Sequence, residues 1–137
     1  MRIGVPREIK TDEYRVGLTP SAVRELAGQG HSVLVEQEAG AAVGLDDASY
    51  EAAGATLVDS ASAVFAQAEL IVKVKEPQPE EYRQLNPDQI LFTFLHLAPD
   101  PEQAEGLLAS GASCIAYETV TDQAGRLPLL TPMSEVA

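Results

Sequence analysis

The chain has 137 residues, enough for one domain with a sizeable core, and an apolar fraction of 45% with 22% charged residues reads as globular rather than disordered. Its net charge of −12, from 21 acids against nine bases, disfavours a general nucleic-acid grip and an anionic membrane surface as partners. The sole cysteine, Cys114, excludes an intrachain disulfide and a thiolate metal cluster, and no apolar run approaches the ~18 residues of a membrane span. With no long apolar signal-peptide core at the N-terminus, the expected setting is soluble, reducing and cytosolic, with no metal and with Cys114 a small buried core residue.

Taken in order, short apolar runs alternate with helical patterns. Strands are predicted over 2–6, 32–37, 55–58, 70–75, 90–95 and 113–118, and their near-continuous hydrophobicity indicates strands covered on both faces. Thr19 before Pro20 predicts a helix start, with Val23 and Leu26 on the inner face and Gly28 or Gly30 closing it. Asp46 and Ser60 are expected to cap two shorter helices, the first ending at Gly54. Asp100 before Pro101 predicts another helix, with Gln103 completing a capping box, Ala104, Leu107 and Leu108 as the apolar stripe, and Gly111 as the stop. Thr131–Pro132 predicts one more start about a turn before the end, and a helix that short is not stable alone. The expected fold is α/β: an open, mainly parallel sheet with flanking helices, of flavodoxin-like or Rossmann-like type, forming a single domain over 1–137. Residues 131–137 are expected to begin a helix leading to a further domain, which would make this chain part of something longer.

No dinucleotide fingerprint is present. "GQGHSV" at Gly28 has no third glycine and runs from helix into strand, whereas a phosphate-binding turn runs from strand into helix. His31 stands alone at a strand start, without a second histidine at ligand spacing. Three cationic or titratable groups occupy comparable places instead. Arg15 follows the first strand, Lys75 ends the fourth and His96 ends the fifth. Ligands in open α/β sheets sit beyond the carboxyl ends of the strands, so the three are expected to converge on one crevice. A guanidinium matches a carboxylate with two parallel bonds, and an ammonium polarises a carbonyl. An imidazole, with an unperturbed pKa of about 6.5, carries protons near neutrality. That set suits a small 2-oxo acid. Lys73, at i,i+2 from Lys75 and expected on the same face, reads as the partner of a nearby acid such as Glu69 or Glu76. Its removal is expected to matter far less to turnover than that of Lys75.

The stretches "MRIGVPREIK", "EYRVGLTP", "GHSVLVEQEAG", "KVKEP", "LFTFLHLA", "IAYETV" and "LPLLTPMSEVA", spread over the whole chain, resemble the N-terminal substrate domain of the alanine dehydrogenase family. That resemblance implies an NAD-dependent oxidoreductase of amino-acid catabolism that converts L-alanine to pyruvate and ammonia, reversibly, as a cytoplasmic homohexamer. Arg15 and Lys75 would hold the substrate, His96 would act as acid/base, Met133 would line the pocket and Ser134 would face the nicotinamide. NAD would be bound mainly by a domain this chain lacks, and the 137-residue chain is expected to be inactive alone. The alternatives are the N-terminal domain of a proton-translocating nicotinamide nucleotide transhydrogenase alpha subunit, whose opening is similar, and a non-catalytic binding or assembly module.

Overall fold

A computed structural model describes residues 1–136; Ala137, the last residue of the expected closing helix, lies outside the described residues. Six strands, β1 (Arg2–Val5), β2 (Ser32–Glu36), β3 (Thr56–Val58), β4 (Leu70–Val72), β5 (Ile90–Thr93) and β6 (Ser113–Ala116), form one sheet in the order β3-β2-β1-β4-β5-β6. Every pairing is parallel. The helices between them are α1 (Pro20–Gly28), α2 (Asp47–Ala52), α3 (Ala61–Gln67), α4 (Pro79–Tyr82) and α5 (Pro101–Ser110), followed by α6 (Leu130–Val136). This is the doubly wound arrangement expected from the alternation of runs, and its order reverses between β1 and β4.

The sheet is covered on both faces, as the continuous apolar runs require. Val5, Val33 and Val35 point one way, packing with Val23 of α1 and Tyr50 of α2. Ile71 and Leu91 pair in register with the Gly4 side of β1 and pack with Phe65, Tyr82, Leu85 and Leu107 on the other face. Gly4 leaves α3 room to lie close, since a Cβ there would be 2.6 Å from both Val64 and Ala68. No described helix is long and apolar enough to cross a membrane.

The caps follow the sequence. Thr19, Asp46, Ser60 and Asp100 each accept a bond from a backbone N–H at the start of the following helix, and Gly111 closes α5 in the left-handed region at φ 72°. Several details differ from expectation. Gln103 completes no capping box: its side chain is buried and donates to the Leu95 carbonyl at 3.0 Å, joining α5 to the end of β5. Leu108, placed in the apolar stripe, is 81% exposed, because the inner face of α5 is Gln103 and Leu107 instead. Thr131 does not cap α6. The helix starts at Leu130, and the Thr131 hydroxyl donates back to the Leu127 carbonyl. Cys114 is half-buried at the margin of the second cluster, where burial pushes its thiol pKa up.

Except at β3, which ends at Val58 as expected, the predicted strands overrun at their carboxyl ends, most clearly at β4, which stops at Val72 rather than residue 75. α4 is an addition. Two prolines flank Gln78, and the Glu81 carboxylate accepts from the Gln78 N–H at 2.9 Å, closing the first turn.

Candidate functional site

Beyond β1 the chain leaves the sheet and does not enter α1 until Pro20, so a long polar loop crosses the carboxyl edge. Gly17 lets that loop touch β4: a Cβ there would lie 2.6 Å from the Val72 carbonyl oxygen and 3.3 Å from the Lys73 Cα. Arg15 lies in the same loop, two residues before Gly17. His96 follows from the next strand, β5. The order of elements alone therefore delivers all three nominated groups to the same edge.

Two of them meet on one ring. Lys75 Nζ lies 4.7 Å from the centroid of Phe94, and the His96 imidazole stacks on that ring at 5.4 Å between centroids and 14° between planes. Among the described residues no carboxylate pairs with Lys75 Nζ, so its charge is balanced mainly by the π face and solvent. His96 is exposed and has φ 44°, in the left-handed region where histidine is tolerated better than most residues. Its N–H donates to Glu118 Oε2 at 2.8 Å, and the Leu95 N–H donates to the same carboxylate at 3.1 Å. A charge-assisted pair of bonds thus fixes the turn that turns the imidazole outward.

Arg15 is engaged on one edge. Its Nη2 lies 2.6 Å from Glu13 Oε1, its Nε donates to the same carboxylate, and this bond holds the guanidinium pKa above its ordinary value. It lines a cleft of about 360 Å³ with Arg7, Glu8, Glu13 and Tyr14, which takes in neither Lys75 nor His96. Any carboxylate ligand of Arg15 would have to take the edge that Glu13 leaves free or displace Glu13.

Tyr117 ties the neighbourhood together. It follows β6, donates its hydroxyl to the Val74 carbonyl at 2.6 Å, and comes within 3.5 Å of Met133 Sδ. Burial pushes its phenol up to about 12, against the opposing field of Arg15. Met133 is thus brought to the same edge, half-buried, whereas Ser134 is exposed. Sequence reasoning passed over Phe94, Tyr117, Glu118 and Glu13. Phe94, Tyr117 and Glu118 fell inside the strands predicted over 90–95 and 113–118, and only the observed ends of β5 at Thr93 and β6 at Ala116 put them just beyond the sheet.

Lys73 behaves differently. Its side chain is 1% exposed, and its Nζ is 3.1 Å from Glu8 Oε1 and 2.9 Å from Glu81 Oε2. An acid pair was the expected role, but the nominated acids are occupied elsewhere: Glu69 accepts the Arg2 N–H at 2.6 Å and Glu76 pairs with Lys10. Nor do the two ammonium groups share surroundings: β4 has ended at Val72, before both residues, and Lys73 is buried between Glu8 and Glu81 whereas Lys75 lies over Phe94. Burial pushes the Glu81 carboxyl up in pKa, an effect Lys73 only partly offsets.

The connection from β1 to α1 has no tight glycine turn, and Pro20 removes an N–H from the helix start where a pyrophosphate would sit.

A family model described as "Alanine dehydrogenase/PNT, N-terminal domain" matches residues 4–137. Over 137 residues, all of this chain, it is 57% identical to an alanine dehydrogenase of Halomonas elongata and 53% identical to one of Mycobacterium tuberculosis. It spans 37% of the length of each. A solved L-alanine dehydrogenase superposes with a TM-score of 0.95 at 52% identity, over all of this chain and 38% of that one. A transhydrogenase from Sinorhizobium meliloti superposes at 0.82 over 90% of this chain and 36% of that one, with 24% identity, a likeness of fold alone.

Proposed function

The chain belongs to the family of alanine dehydrogenase/PNT N-terminal domains, and on that premise we propose that it supplies the substrate half of an enzyme that interconverts L-alanine with pyruvate and ammonia, with NAD as redox partner. Arg15 binds the substrate carboxylate through its guanidinium fork. Lys75 binds the carbonyl oxygen and stabilises negative charge developing there. His96 takes and returns protons as ammonia adds to the carbonyl and water leaves. Met133 closes the pocket beside Tyr117, and Ser134, exposed on α6, faces the nicotinamide. The cofactor itself would be held mainly by a part of the protein outside this chain. Assembly as a homohexamer and a cytosolic location belong to the same reading.

The observation that supports it best is the shared Phe94 ring, which meets both the Lys75 ammonium, unpaired with any carboxylate among the described residues, and the exposed His96 imidazole. The transhydrogenase reading has less support, resting on fold likeness. In the full-length protein, Lys75→Ala is expected to lower kcat/KM for pyruvate by about 10² to 10³ while leaving the circular dichroism and unfolding midpoint unchanged. Near-normal turnover in that variant would overturn the assignment and favour a binding or assembly module.

A further inference from the structure

Lys75 lies outside the sheet. The last ladder bond of its strand is Lys73 N–H to the Phe92 carbonyl at 3.0 Å, and β4 itself ends at Val72. Val74 is buried and Lys75 half-buried, so their backbone polar groups need partners that the sheet no longer offers. Side chains supply all four. The Val74 N–H donates to Glu8 Oε2 at 3.2 Å, and the Lys75 N–H donates to Glu8 Oε1 at 3.0 Å. The Val74 carbonyl accepts from the Tyr117 hydroxyl at 2.6 Å, and the Lys75 carbonyl accepts from the Thr93 hydroxyl at 2.7 Å.

Three separate elements contribute, the loop after β1, the end of β5 and the turn after β6. Glu8 is itself pinned by Lys73, whose ammonium bonds the same Oε1 that receives the Lys75 N–H. Thr93 is fully buried and Glu8 nearly so, which leaves neither free to choose another partner.

We propose that Glu8 and Thr93 are positioning residues for Lys75, acting with Tyr117 as a side-chain substitute for the missing strand, and that Lys73 serves as the counter-ion that fixes Glu8. This rests on the reading of Lys75 as the group that binds the substrate carbonyl. A ladder would have continued the strand's pleat and sent Lys75 to a face of the sheet. Side-chain partners instead hold two residues of irregular backbone still while the lysine projects over Phe94. A displacement of about 1 Å at a reacting group can cost 10²-fold in rate, so looseness here is read directly as lost turnover.

The test is a double-mutant cycle in the full-length protein. Thr93→Val keeps the shape and removes the hydroxyl; Glu8→Gln keeps the length and removes the charge and one backbone acceptor. Each is measured alone and combined with Lys75→Ala, at raised enzyme concentration, with the folded fraction fixed by thermal unfolding. Each is expected to lower kcat/KM about tenfold in the native background, and by less than twofold once Lys75 is alanine, because nothing remains to be positioned. The same loss in both backgrounds would mean that the two residues act on the fold in general and would overturn the proposal. A loss below twofold in the native background would overturn it too. If Glu8→Gln does not fold, Glu8→Asp takes its place, and Thr93→Val alone still decides. Failure of the functional reading is recognised separately, by Lys75→Ala retaining turnover.

Discussion

The buried ion cluster under α4 and the aromatic shelf at the carboxyl edge lie two residues apart along the chain and treat the same side chain in opposite ways. Beneath α4, the ammonium of Lys73 is removed from water and held between the carboxylates of Glu8 and Glu81. On the shelf, Lys75 keeps access to solvent and rests against the face of Phe94 with no acid attached. The first arrangement consumes the charge in holding three elements together. The second keeps it available for a ligand. In a strongly acidic chain with three lysines, the acids near Lys75 are committed elsewhere: Glu8 and Glu81 to Lys73, and Glu76 to Lys10.

The largest effect that would break this contrast is at Lys73. Lys73→Met leaves two carboxylates buried without their cation, and is expected to cost about 3–5 kcal/mol in urea unfolding. A cost below about 1 kcal/mol would mean that the ion cluster is not what secures the loop after β1. Removing Lys73 was expected from the sequence to be mild for turnover. The structure moves that residue into the fold's stability, so turnover must be compared at equal folded fraction.

A smaller loss is expected at Gly17, where the Arg15 loop meets the edge of β4. The Cβ of Gly17→Ala would press on the Val72 carbonyl, a backbone atom that cannot rotate away, so about 1–3 kcal/mol should be lost. If the loop moves as a unit, the KM for pyruvate should rise more than kcat falls. An unchanged KM would detach Arg15 from the shelf.

The gentlest test is pH. The phenols of Tyr117 and Tyr50 are both pushed up to about 12, first of all by burial. Between their ordinary value near 10 and about 12 the unfolded chain has released protons that the folded chain still holds. Stability must then fall as pH rises through that window, and these groups contribute no slope below it. Urea midpoints measured from pH 9 to 12 should be flat at first and then decline. Tyr117→Phe, which gives up one buried bond worth about 1 kcal/mol, should make the decline shallower. An unaltered slope would show that Tyr117 is not sealed between Val74 and Met133.

Much of the fold could be read from local chemistry. Thr19–Pro20, Asp100–Pro101, Asp46 and Ser60 mark helix starts because a cap is a contact within four residues, and the apolar runs mark strands because a doubly covered strand is apolar throughout. The ends of the strands were harder to read, since "IVKVK" and "FTFLHL" stay apolar after the ladder has finished. There the hydrophobicity serves other ends: Phe94 meets Lys75 and His96, Leu95 packs into the core with Leu107, and Val74 is buried. Gln103 was misread for a related reason. Its spacing from Asp100 fits a capping box, but the Leu95 carbonyl, eight residues away, outbid the local partner because it is buried and would otherwise go unbonded.

The sequence by itself determined the alternation of strands and helices, the caps at Thr19, Asp46, Ser60 and Asp100, and the nomination of Arg15, Lys75 and His96 from their places after strands. Those features depend on residue type and short spacing. Tertiary structure alone decided which carboxylate holds which lysine, that Lys75 and His96 both meet the Phe94 ring, and that Glu8, Thr93 and Tyr117 hold the backbone beyond β4. Glu8 meets Lys73 from 65 residues away, and Tyr117 meets Val74 across 43. No spacing rule reaches across such distances, because the partner is chosen by which groups the packed sheet buries together and leaves in need of a bond.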